Sequence, residues 1–141
     1  MSALIETRTL TLKGKGKGKS SSVVVHQLNG LQLFDYQMAL LSVEWPQVEG
    51  ITAPLQQQKT LLTIQRLTFE MSLLLAAMGL NHYQPDLDVE QMKAWVLKNY
   101  PDSAHVLRIA MAVKELSGLA ALAKEAASGE GKLEPVDPKK G

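Results

Sequence analysis

The chain has 141 residues, 45% of them apolar and 21% charged, with no cysteine. At this size one globular domain removes roughly 65–70% of its extended-chain surface from water, and a second full-size domain, disulfide staples and cysteine-based metal sites are all excluded. Fifteen Lys and Arg stand against 14 Asp and Glu, a formal charge of +1, which excludes the strong overall field of a general nucleic-acid or acidic-membrane binder.

Residues 7–12 are rich in Thr and alternate polar with apolar, predicting a short strand. Ser22 to His26, with three consecutive valines, predicts a second. The Lys/Gly/Ser segment between them reads as an extended hairpin connection of about ten residues. It holds Lys13, Lys15, Lys17 and Lys19, and without these four the chain carries 11 positive and 14 negative groups, a net of −3. Asn29 is a predicted N-cap for a first helix whose apolar stripe is Leu31, Phe34, Met38 and Leu41, ending near Trp45-Pro46. Pro46 to Gln58 reads as a connection.

A second helix is expected from about Thr60 to Met78. It is the most apolar stretch, yet Gln65, Arg66 and Glu70 interrupt it, so a central buried helix is preferred to a membrane span. Arg66 and Glu70, four residues apart, would share its one wet face. Gly79 can close this helix. Asp88 with Gln91 forms a capping-box variant opening a third helix, which places Val89, Met92, Trp95 and Val96 on one side and stops before Pro101. Pro101 is expected at the first position of a fourth helix carrying Val106, Ile109, Ala110, Val113 and Leu116, with Ser117-Gly118 as its end or a kink before an alanine-rich run to Ala127. From Ser128 onward Gly, Glu, Pro and Lys predominate, and a disordered tail is expected.

These elements give a mainly α (α+β) fold, about four helices with a short N-terminal β-hairpin. Residues 1–27 form the hairpin with its basic loop, 28–127 a helical body making one domain with it, and 128–141 the tail. The compartment stays open, although nothing argues for secretion: Met1 to Ile5 is too short for a signal h-region and Glu6 follows at once.

The motifs that could carry chemistry are weak. Gly18-Lys19-Ser20 copies the end of a Walker A sequence, but Lys13 stands where its first glycine belongs and a valine strand follows where the phosphate-binding helix should start. His26, His82 and His105 are scattered, and Asp86 with Asp88 lacks a calcium-loop pattern. The three serines at 20–22 have no recommended histidine base. No catalytic residue, cofactor or metal is expected. Lys13, Lys15, Lys17 and Lys19 are candidate contacts for an acidic partner or a nucleic acid, although no aromatic residue for base stacking lies nearby, and a solvated hairpin tip is preferred. Leu31, Phe34, Met38, Trp45, Trp95 and Tyr100 are the candidate partner-binding residues, set against the plainer reading of helix aromatics as core contacts.

The order of segments carries a resemblance. The helix start Leu28-Asn-Gly-Leu-Gln-Leu-Phe-Asp-Tyr-Gln-Met, the run Met71-Ser72-Leu73, the turn Asn81-His-Tyr-Gln-Pro85, Val96-Leu-Lys-Asn-Tyr-Pro101 and Val113-Lys-Glu-Leu-Ser-Gly118 together resemble the lambda-type minor tail protein G family over residues 7–118. The basic loop and the spacing between the first two helices depart from that pattern. The resemblance implies a non-enzymatic tail assembly chaperone of long-tailed bacteriophages and prophages. It would act in the host bacterial cytoplasm, keep the tape measure protein soluble through the face formed by the first, second and fourth helices, and be absent from the mature virion. It further implies a homo-oligomer, and a frameshift-extended form that recruits tail tube protein. Lys139-Lys140 is compatible with an A-rich slippery run. A nucleic-acid-binding accessory protein using the basic loop, or a structural tail or head–tail adaptor subunit, are the alternative readings.

Overall fold

The computed structural model describes residues 4–14, 18 and 20–119. The alternation in the first strand has the expected consequence. β1 (Thr7–Lys13) pairs antiparallel with β2 (Ser20–His26), Leu10 opposite Val23 and Arg8 opposite Val25. Side chains two apart share a face of a pleated strand, so Leu10, Leu12, Val23 and Val25 form one buried face. The ladder continues through Leu12↔Ser21 and Lys13↔Ser20, so the connection is residues 14–19 and shorter than the ten expected. Backbone pairing extends the strands past their β-branched residues. The candidate basic contacts Lys15, Lys17 and Lys19, together with the tail from 128, lie outside the described residues.

α1 (Gly30–Ser42) starts as predicted. The Asn29 side chain accepts the Gln32 N–H at 2.8 Å and the Gln32 side chain accepts the Asn29 N–H at 3.0 Å, a reciprocal cap that satisfies two otherwise orphaned donors. It ends three residues before Trp45, because Val43 turns extended and packs on the core. α2 (Pro54–Gly79) starts earlier than expected. Pro54 opens the helix, since proline at a first helical position forfeits only a donor that has no intrahelical partner. The 46–58 connection is corrected to 43–53.

The 26 residues of α2 span about 39 Å at 1.5 Å per residue. The expectation of a buried central helix holds only for its second half. Met71 and Leu73–Gly79 are buried, whereas Leu55, Leu61 and Leu62 are exposed. By length and composition α2 could cross a membrane, but its second half lies within the same core cluster as α3, α4 and the hairpin. Arg66 donates to Glu70 at 3.1 Å on its solvent side, as expected.

Gly79 closes α2 as expected, without a positive φ. A β-carbon there would overlap the Val113 side chain of α4 (Ser103–Leu116), so its bareness sets how closely α2 and α4 approach. A 3-10 turn, Asn81–Tyr83, leads to α3 (Val89–Asn99), whose Asp88 and Gln91 make the expected capping box. α4 begins at Ser103 with Asp102 as N-cap, its carboxylate accepting the Ala104 N–H at 2.9 Å. Pro101 therefore precedes the helix instead of opening it. Gly118, with φ +71°, ends it.

The hairpin rests on α4. Arg8 pairs with Glu115, Arg108 donates to the Thr11 carbonyl and His105 Nε2 lies 2.9 Å from the Lys13 carbonyl. The Ser117 hydroxyl accepts the Leu28 N–H at 2.9 Å, joining the end of α4 to the entry of α1. On the other strand the Tyr83 hydroxyl accepts the Val24 N–H at 2.8 Å. Tyr83→Phe should therefore destabilise the fold by about 1 kcal/mol in denaturant titration. An unchanged midpoint would mean that water replaces this bond at no cost.

Candidate partner-binding surface

A 3.6-residue repeat puts positions 33, 36, 39 and 43 on one side of α1 and 31, 34, 38 and 41 on the other. Both sides are apolar. Tyr36 is buried, and Leu33, Ala39 and Val43 pack on the core. Leu31, Phe34, Met38 and Leu41 face away, with 72%, 68%, 64% and 82% of their surface exposed. This second row is the apolar stripe expected from the spacing, but the core takes the opposite side of the helix. A helix apolar all round normally lies fully buried; α1 is covered on one side only.

Just past α1, Trp45 is 42% exposed and Val48 is exposed as well. Phe34, Met38, Leu40 and Leu41 line a shallow depression of about 410 Å³. Asp35 flanks the ridge, is exposed, and has no ion pair among the described residues. Of the six predicted partner residues, Leu31, Phe34, Met38 and Trp45 thus lie on or next to α1 and are exposed. Trp95 and Tyr100 belong elsewhere, half-buried against the core. Trp95 stacks on Tyr83 with ring centres 6.0 Å apart and meets Tyr100 edge-on at 6.2 Å.

A second apolar surface lies on the second and fourth helices, and none of its residues is among the six predicted partner residues. The exposed first half of α2 and the start of α4 enclose an open groove of about 640 Å³ lined by Leu62, Ile64, Phe69 and Leu107 with Arg66 at its rim. Its signal is the length of the apolar run beyond what the core can cover, masked by the expectation that the most apolar helix is buried throughout. A further depression of about 720 Å³ lies between the hairpin end and the α3–α4 junction, lined by Leu12, Gly14, Tyr100 and His105 among others. Lys13 closes β1 beside it and is exposed.

Among the described residues no three His, Asp or Glu side chains come together as metal ligands. His26 and His82 meet edge-on in a T-shaped arrangement, ring centres 5.1 Å apart. Burial chiefly, and His26 beside it, push the His82 imidazole below its ordinary value, while a backbone hydrogen bond with Val24 acts in the opposite direction. A base that binds protons more weakly when folded favours the folded state above its unfolded value of about 6.5 and opposes it below. Stability should therefore fall as pH drops from 6.5 through the lower folded value, and His82→Gln should flatten that fall in thermal melts. An identical slope in the variant would assign the pH dependence to other groups.

Comparison with known proteins bears on what such a surface serves. The family model described as bacteriophage lambda tail assembly chaperone, TAC, protein G matches residues 12–134, most of the chain. No curated protein and no solved structure matches.

Proposed function

The chain belongs to the lambda tail assembly chaperone family, protein G, a non-enzymatic family acting in phage assembly inside the host, and from that premise we propose that it holds the tape measure protein soluble on the outward ridge of α1. The observation that carries this reading is the uncovered apolar side of α1. Four large side chains left in water forgo about 1.5–3 kcal/mol each relative to full burial, and a client helix laid along them recovers much of that. Leu31, Phe34, Met38 and Leu41 follow the three-and-four spacing by which helices engage one another. Met38 is the adaptable member, its unbranched thioether accommodating varied partners.

Trp45 extends the ridge, whereas Trp95 and Tyr100, half-buried against the core, lie apart from it. Several copies coat one long client, so the working form is an assembly of this chain. A frameshift-extended product recruits tail tube protein; a slippery heptamer at codons 139 and 140 is the expected nucleotide signature, and its absence removes this part of the reading. The protein works in the host cytoplasm and leaves before the virion is complete, so mass spectrometry of purified particles should find none of it.

Coexpression tests the main proposal. The chain should move the tape measure protein from pellet to supernatant. An equally insoluble tape measure protein, with the chaperone itself soluble, would refute it.

A further inference from the structure

The ridge raises a question of its own: what covers it before a client arrives. Leu31, Phe34, Met38 and Leu41 together expose on the order of 500 Å² of contiguous apolar surface, as large as the largest patch of a typical monomer. That is below the roughly 800 Å² per partner of a standard interface, as fits a contact that a client displaces. The α2–α4 groove offers a concave, mainly apolar surface that could receive the centre of the ridge. Leu62 and Phe69, two turns apart on α2, frame a hollow about 10 Å long, and the ridge from Leu31 to Leu41 measures about 15 Å with Phe34 and Met38 at its centre.

The charges also match. Asp35 flanks the ridge without an ion pair among the described residues. Arg66 at the groove's rim is 80% exposed and commits only its Nε to Glu70, leaving the Nη groups free for a second carboxylate. We propose that, without client, the α1 ridge of one copy docks in the α2–α4 groove of the next, Asp35 meeting Arg66, and that client displaces this contact. The interface joins two different patches, so it propagates head to tail and forms a ring or an open array. The inference rests on the ridge being the client site, since only then does self-docking regulate the chaperone.

Charge exchange tests it on the full-length chain. In sedimentation velocity the wild-type protein should associate with rising concentration. Asp35→Lys and Arg66→Glu should each weaken association roughly tenfold or more. Both changes are on exposed side chains, and circular dichroism should confirm that both variants remain folded. An equimolar mixture of the two should associate again, because the ridge of the first variant, now basic, meets the groove of the second, now acidic, and the remaining native ridge meets the native groove. Wild-type monomers at every concentration, variants that associate as well as wild type, or a mixture that stays dissociated would each overturn the proposal. Arg66→Glu should still solubilise the tape measure protein; its loss of that activity beside a monomeric wild type would make the groove a client site instead. Failure of the wild type to hold client, with association and charge rescue intact, would count against the function proposed above and not against the interface.

Discussion

Phe34→Asp combined with Met38→Asp should abolish client holding while leaving the fold as stable as before. Both side chains point away from the core, so denaturant midpoints should move by no more than about 0.5 kcal/mol, the usual range for surface changes. Binding should weaken on the order of 100-fold or more, because a central aromatic anchor alone is commonly worth about 2 kcal/mol or more and two carboxylates would face an apolar client helix. The contrast with the opposite side of α1 sharpens the test. Tyr36→Ala empties a buried site and should cost about 3–5 kcal/mol, the range for large aromatic truncations. Coexpression solubility, read beside urea titration of each variant, separates the two sides. Retained client holding by the double Asp variant would remove α1 from the mechanism.

Gly79→Ala should destabilise the protein by about 1–3 kcal/mol, although alanine is the better helix former by close to about 1 kcal/mol. The new methyl group has no room, because Val113, itself fully buried, stands where it would go. Either α4 shifts from α2 or Val113 leaves its rotamer, and α4 carries the hairpin with it through Arg8–Glu115 and Arg108–Thr11. Adding Val113→Ala should make room. The double variant should be more stable than the sum of the single effects predicts by about 1 kcal/mol or more, the size of coupling seen between residues in contact. Purely additive effects in urea titration would show that the close approach is relieved elsewhere.

How much of this architecture is legible in the sequence depends on whether the signal is local. Asn29 with Gln32 and Asp88 with Gln91 are four-residue events, so both caps can be read directly. The proline signals are ambiguous: Pro54 opens a helix where its neighbours suggest a connection, and Pro101 stands one residue before the N-cap instead of at a first helical position. Both depend on the surrounding backbone. Gly79 marks the expected boundary for a different reason, because its partner Val113 is 34 residues away and no local pattern encodes that contact. The candidate surface shows the same division. Spacing identifies Leu31, Phe34 and Met38, but α1 carries apolar residues on both sides, and only packing decides which row enters the core. The α2–α4 groove, built from two elements distant in sequence, leaves no trace that periodicity alone could detect.

Site-directed photo-crosslinking tests the central claim most directly. A photoreactive phenylalanine analogue at position 34 should crosslink to the coexpressed tape measure protein, and the same analogue at Lys114, on the solvent side of α4, should not. Crosslinks from position 114 with none from position 34 would show that the client lies on another face, and would contradict the account.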